Sequence, residues 1–150
     1  MNHPAIFSTA SFPTIECIAA MVQVPEFLID GWELFVKQTN RNRYHIAGPQ
    51  GIQSLHIPLA HRQLYGLCMK DIRISYDNPW QRTHWRTLTA SYNRSAFFEY
   101  YSESLYDEMT RKHDFLFDFN LSMTEWIFKS LKIPCTINQT QEYKPVYPGF

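Results

Sequence analysis

The tetrapeptide Gly48-Pro49-Gln50-Gly51 is the strongest constraint on how this chain can fold. Gly and Pro clustered in this way reverse the chain. On both sides of the reversal apolar residues recur at every second position: Tyr44 and Ile46 before it, Leu55, Ile57 and Leu59 after it. Period-two alternation flanking a tight turn predicts a β-hairpin with one buried face. With Gly48 to Gly51 as the loop, antiparallel pairing sets Ala47 opposite Ile52 and Arg43 opposite His56. A slip of one residue would turn every apolar side chain to water, so this register is strongly favoured. Arg43, His45, Ser54 and His56 then share the outer face, and Tyr44, Ile46, Leu55 and Ile57 the inner one. Pro58 has no N–H to give a ladder and marks an edge or a bulge.

Upstream of the hairpin, Ala5-Ile6-Phe7 reads as a short strand. Pro13 suits the first turn of a helix reaching about Val22, with Ile15, Ile18, Ala19 and Val22 at helical spacing. Pro25 ends that helix, and Phe27-Leu28-Ile29 reads as a second strand. Strand, helix, strand in this order predicts a β-α-β unit with parallel strands. After the hairpin, Ile72, Ile74 and Tyr76 predict a strand from Asp71 to Tyr76. At Asn78 the period changes to helical. Asn78 is the expected N-cap and Pro79 the first position of a helix to about Asn93. Ser95 and Asp114 are the expected caps of two more helices, the last ended by Pro134. Cys135-Thr136-Ile137 reads as a final strand, and Tyr143 to Phe150 as irregular. The expected fold class is α/β: a mixed β-sheet with an N-terminal β-α-β unit, a central β-hairpin and three C-terminal helices.

The chain has 150 residues, which is one domain, and 45% are hydrophobic, enough for one packed core. Gln23, Pro25 and Glu26 interrupt the best apolar stretch, so no membrane span is expected, and no secretory signal is visible. Cys17, Cys68 and Cys135 are odd in number and widely spaced. They fit neither a disulfide framework nor a zinc site, and they suit a reducing cytoplasm. The formal net charge is zero, which argues against a strongly basic nucleic-acid binder, and no specific nucleic-acid binding is expected. The charges are nevertheless blocked. Residues 1–36 carry four acids and no Lys or Arg, whereas residues 37–94 carry nine bases against Asp71 and Asp77. Such blocking points to a local anion site, unless folding scatters the charges.

Three places could carry chemistry. The outer face of the hairpin gathers a guanidinium, two imidazoles and a hydroxyl. That is the donor set for a phosphate or carboxylate, although a solvated face is the ordinary use of such a surface. His45 and His56 lack a third partner, so no metal is expected. In the helix after Pro79, about 100° per residue puts Trp80, His84, Leu88 and Tyr92 on one inward staircase, with Arg82 and Arg86 opposite. His84 is then either a general acid or base at the bottom of a cleft, or a core histidine bonded to a carbonyl; in both cases it should be neutral at pH 7. In the last helix Asn120 interrupts the apolar stripe of Leu116, Met123, Ile127 and Leu131, as a structural hydrogen-bonder or a site residue. Asp118 falls on the polar side. The sequence has no Gly-rich dinucleotide fingerprint, no Walker loop and no nucleophile elbow, and no cofactor is expected.

Six segments, in order, resemble the WbqC-like protein family: Ser8-Thr9-Ala10-Ser11-Phe12-Pro13, Lys37-Gln38-Thr39-Asn40-Arg41-Asn42-Arg43, Leu55-His56-Ile57-Pro58-Leu59, Lys70-Asp71-Ile72-Arg73-Ile74, Pro79-Trp80-Gln81-Arg82-Thr83-His84-Trp85-Arg86 and Asp118-Phe119-Asn120. The Asn-Arg-Asn-Arg run together with the later Trp-x-x-x-His-Trp is the specific combination. Members of that family occur in bacterial gene clusters for O-antigen and related surface polysaccharides. The resemblance therefore implies a process, surface glycan assembly in the cytoplasm, and no particular reaction. It implies one WbqC-like domain over residues 1–150. The family usually has an aromatic residue where Ser11 stands, and usually runs on beyond this endpoint, so an altered first loop and a missing C-terminal segment are expected. Within that process the charge pattern suits an anionic small molecule, a nucleotide-sugar or phosphorylated intermediate. Arg41 and Arg43 would hold it, Asn42 and Asn120 would orient it, His45 and His56 would flank it, and His84 would transfer the proton if there is a reaction. The rival reading is a non-catalytic assembly module that uses the acidic helix at 96–110, with pathway proteins or further copies of the chain as partners.

Overall fold

The computed structural model describes residues 5–142, so the reading of Tyr143 to Phe150 as irregular lies outside the described residues. The elements in chain order are β1 (Ala5–Ser8), α1 (Ile15–Met21), β2 (Glu26–Asp30), β3 (Arg43–Gly48), β4 (Gly51–His56), α2 (Trp80–Tyr92), α3 (Phe98–Thr110), α4 (Leu116–Leu131) and β5 (Thr136–Gln139). The expected α/β architecture is present. β1 and β2 are parallel, with Ala5 opposite Phe27 and Ser8 opposite Asp30. β5 returns along the other side of β2, also parallel. The chain thus closes on itself: Thr140, just past β5, donates its hydroxyl to Asp30 at the end of β2 (2.8 Å). β3 and β4 form a separate antiparallel hairpin in the expected register, Arg43 opposite His56 and Ala47 opposite Ile52.

Burial follows the periodicities. Tyr44, Ile46 and Ile57 on the inner hairpin face are buried, as are Phe27 and Ile29 of β2. Trp80, His84 and Leu88 of the α2 staircase are buried, and the Tyr92 hydroxyl accepts the Ala47 N–H (3.0 Å), docking α2 on the hairpin. α4 supplies the largest share of the core, with Leu116, Phe119 and Met123 fully buried. Trp80 meets Phe119 edge to face (5.7 Å between centroids), which joins α2 to α4.

Three local expectations need correction. The inward stripe of α1 is shifted: Ile18 and Val22 pack against the core as expected, but Ile15 is 86% exposed, Ala19 is exposed, and Met21 is the buried residue. With only two turns, neighbouring stripes compete and the sheet takes the one that carries Met21. The predicted strand at 71–76 is a single 3₁₀ turn, Met69–Asp71, followed by extended backbone. Residues 72–75 do bond on both sides, to Pro58 and Ala60 and to Asp114 and Leu116, but each contact is one bridge long. Pro58 cannot donate, and the chain beyond 115 turns into a helix, so neither ladder extends. Ile72 and Ile74 still share a buried face. Finally, Asn78, Ser95 and Asp114 cap no helix through their side chains. The N-cap positions are Pro79, Phe97 and Phe115, and none makes a side-chain cap bond. Asn78 gives its carbonyl to the Trp80 N–H, and Asp114 gives its carbonyl to the Ile74 N–H. The bridge between Arg73 and Phe115 holds Phe115 extended, so α4 begins at Leu116, one residue later than a cap at Asp114 would give.

One backbone group gathers the distant parts. The Arg41 carbonyl accepts from Ser11 Oγ and from Asn120 Nδ2, both at 2.8 Å, and both donors belong to fully buried residues. Ser11 comes from the loop after β1 and Asn120 from α4. The two donors should therefore back each other up. Ser11→Ala or Asn120→Leu alone leaves the carbonyl one partner and should cost about 0.5–1.5 kcal/mol; the double variant strands it and should cost more than the sum. Urea midpoints for the four proteins of the cycle check this.

Candidate functional site

The cavity that best matches the sequence signals opens at the carboxyl end of β1, where ligands of open parallel sheets usually bind. It has a volume of about 260 Å³ and lies between the loop of Ser8, Thr9 and Ala10, the start of α1, and Thr39, Asn40 and Arg41. Two of the family-like segments, 8–13 and 37–43, thus form its opposite walls. They are held together by the Ser11 N–H on the Asn40 carbonyl (2.9 Å) and by the Ser11 hydroxyl on Arg41. At position 11 a small side chain thus serves as a clamp.

The polar lining is mostly committed. Arg41 donates to Glu33 in a two-pronged pair, Nε to Oε1 at 3.1 Å and Nη2 to Oε2 at 2.8 Å. Ser8 Oγ donates to the same Oε2 (2.8 Å), and Arg41 Nη1 donates to Thr39 Oγ1 (3.2 Å). Both charged side chains are only 16% exposed, so the pair is well screened from water. Arg41 keeps two of its five N–H groups. Thr9 is the exception: it is 3% exposed, lines the cavity, and its hydroxyl has no partner. A buried hydroxyl left without a bond carries a desolvation cost that a ligand can relieve. Cys17 also lines the cavity, but burial raises its thiol above the ordinary value, so it is not an activated nucleophile.

The other expected site residues lie elsewhere. Asn42 extends the hairpin ladder: its side-chain amide donates to the Ile57 carbonyl (3.1 Å) and its own carbonyl accepts the Ile57 N–H (2.8 Å). Arg43, His45, Ser54 and His56 do share the outer hairpin face, as the register requires. Ser54 Oγ and His56 Nε2 are in hydrogen-bond contact (3.2 Å), and the Arg43 Nε has no partner. Burial, then Arg43 and His45, holds His56 below the usual imidazole value, so His56 adds no charge to this face at neutral pH. Asn120 meets the Arg41 carbonyl from inside the core, and its Oδ1 is unbonded.

His84 is 5% exposed, and both ring nitrogens are engaged. Its Nε2 donates to the His56 carbonyl (3.0 Å), because a carbonyl can only accept. That fixes the tautomer, and Nδ1 accepts from the Tyr44 hydroxyl (2.8 Å). The ring therefore ties α2 to both strands of the hairpin. Neither nitrogen is open for the proton transfer expected at this position. Burial is the main influence on its pKa and lowers it to about 4; the His56 carbonyl opposes the shift and the His56 ring adds slightly to it.

Sequence reasoning missed Glu33, Ser8, Thr9 and Thr39. Ser8, Thr9 and Thr39 were signalled only by lying in the family-like segments, and Glu33 by being an acid in the largely apolar run 27–36 just before the basic run at 37–43.

The WbqC-like protein family model matches residues 9–147, which takes in both cavity walls, the hairpin and all of α2 to β5. The chain belongs to the WbqC-like protein family. No curated protein and no solved structure matches it. In this WbqC-like protein, among the described residues, no group of three or more His, Cys, Asp or Glu is placed to hold a metal, and no helix is long and apolar enough to cross a membrane.

The His84 geometry sets a pH dependence. Its folded pKa lies below the unfolded value near 6.5, so the neutral ring stabilises the fold above pH 6.5. That contribution is lost as pH falls toward about 4. Over that window the slope should reach up to roughly 1.4 kcal/mol per pH unit. His84→Gln keeps a donor and an acceptor of similar reach and cannot titrate, so its stability should be flatter between pH 7 and 4.5. Urea unfolding of both proteins at several pH values checks this.

Proposed function

We propose that this WbqC-like protein acts in bacterial surface polysaccharide biosynthesis by binding an anionic sugar or nucleotide-linked intermediate, with a sugar ring seated in the cavity at the end of β1. The observation that carries the reading is the unpartnered Thr9 hydroxyl, buried in a cavity lined also by Ser8, Thr14, Thr39, Asn40 and Arg41. Hydroxyls, an amide and a guanidinium fit a polyhydroxylated ring better than a bare anion, because Glu33 already offsets the Arg41 charge. The volume of about 260 Å³ is below the roughly 300–1,000 Å³ of pockets that enclose drug-sized ligands, so it suits one ring rather than a whole nucleotide sugar. The two spare Arg41 donors suit a carboxylate or phosphate on that ring. The family name is the support for the process. A role in binding without catalysis fits the protonated Cys17 and the occupied His84.

A second reading, an assembly module without a small ligand, draws on α3. Phe97 is 74% and Tyr100 69% exposed, on a helix rich in acids.

Calorimetric titration with sugar phosphates and nucleotide sugars tests the first reading. Thr9→Val preserves shape and removes the hydroxyl. It should weaken the best ligand about tenfold, the equivalent of one lost hydrogen bond of about 1.4 kcal/mol, and leave the melting temperature nearly unchanged. Arg41→Lys should also weaken it, because the charge is kept while the planar group that bonds Glu33 and still offers two donors to the ligand is lost. Unchanged affinity in both variants would remove the ligand from this cavity.

A further inference from the structure

A second cavity lies on the opposite helix pair, between α2 and α3. Its volume is about 510 Å³, and Arg82, Trp85 and Arg86 of α2 face Tyr106 and Thr110 of α3 across it. It shares no lining residue with the cavity at β1. The helical period sets the two arginines opposite the buried staircase. In the fold Trp85 is half-buried and lines the same cavity as both of them.

The electrostatics of this cavity run against the helix that builds it. Arg82 sits in the first turn of α2, where the macrodipole is positive and a cation is disfavoured. Arg86 follows one turn later, and like charges at that spacing repel. The first turn of α2 has no acid to compensate. Among the described residues, ion pairs join Arg41 to Glu33, Lys70 to Asp71 and Arg111 to Glu108, and neither Arg82 nor Arg86 is in one. The two guanidinium charges and the positive end of α2 therefore meet at one mouth, and among the described residues no acid is in ion-pair contact with either arginine. A polyanion would relieve all three, and guanidinium groups are the preferred partners of phosphate oxygens.

The wall beside them is aromatic and braced. Trp85 is stacked on Phe98 (6.1 Å, 25°) and meets the Tyr106 ring edge to face (5.1 Å, 67°). Gln81 Nε2 donates to the Met109 and Arg111 carbonyls (2.9 and 3.2 Å), fixing the start of α2 against the end of α3. A rigid aromatic wall next to free guanidinium groups recognises a planar ring joined to phosphate, since stacking accepts any base. The volume lies within the range of pockets that hold such ligands.

We infer that the cavity between α2 and α3 is a nucleoside diphosphate site, with the base against Trp85 and Tyr106 and the phosphates on Arg82 and Arg86. The site goes beyond the sugar cavity proposed above and does not depend on it.

Titration of the full chain with UDP and with ADP, followed by calorimetry and Trp fluorescence, tests this. Both should bind saturably. Inorganic pyrophosphate and uridine should each bind at least tenfold more weakly than UDP, because each lacks one half of the recognition. The double variant Arg82→Gln/Arg86→Gln changes exposed side chains and should lower UDP affinity at least tenfold with unchanged circular dichroism. Tyr106→Leu should lower it while leaving pyrophosphate unaffected. Thr9→Val should leave UDP affinity unchanged, which separates this site from the sugar cavity. Absence of UDP and ADP binding, pyrophosphate binding as tight as UDP, or indifference to the arginine double variant would each overturn the inference. Binding of an oligouridylate without binding of UDP would overturn it in favour of a nucleic-acid surface.

Discussion

The carbonyl of Arg41 holds the molecule together. It accepts from Ser11 and from Asn120, residues that lie 30 and 79 positions away along the chain. On either side of it, Asn40 accepts the Ser11 N–H and Asn42 exchanges two hydrogen bonds with Ile57. Three consecutive polar residues thus fasten the β-α-β unit, the hairpin and α4 to one short stretch of backbone. A backbone carbonyl cannot be repositioned without moving its whole peptide, and buried partners leave no water to replace a lost bond. This explains why so polar a run as residues 37–43 is partly enclosed, and why a cavity wall with no regular structure of its own can stay in place.

The hairpin needs a second fastening because it joins no larger sheet. A two-stranded hairpin is marginal in water by itself and must pack against something. α2 provides that support through apolar contact and through His84, which bonds the Tyr44 hydroxyl on β3 and the His56 carbonyl at the end of β4. Tyr44 pays for its burial with a hydroxyl pushed far above its ordinary ionisation range, so it stays a neutral donor. The pair Tyr44–His84 works as a neutral bridge, and the rigidity that makes it a good bridge also makes it a poor proton shuttle.

Folding disperses part of the basic block in the middle of the chain. Arg41 goes to Glu33, Lys70 to Asp71 and to the face of Trp32 (4.1 Å), and Arg73 to the face of Phe115 (4.6 Å). Among the described residues Arg43, Arg82 and Arg86 are in no ion pair, nor are Lys37, Arg62 and Arg94. The result is a locally neutral sugar-sized cavity and, apart from it, a positive aromatic mouth.

Much of this was legible in the chain itself. Hairpin register, the parallel β-α-β unit, the returning last strand and the inward staircase of α2 all depend on periods of two or 3.6 residues, and such periods are local properties that neighbours in sequence are enough to specify. The family was legible too, in six short segments whose order matters more than their distances. The sequence alone could not say which residues of the short α1 would turn inward, why α4 would begin late, or that Asn120 would meet the Arg41 carbonyl. It could not pair Arg41 with Glu33, leave Thr9 without a partner, or bring the Arg82–Trp85–Arg86 face of α2 opposite Tyr106. Those outcomes belong to the tertiary structure, because a polar side chain takes its partner from whatever backbone packing brings within about 3 Å, and no periodicity along the chain encodes that choice.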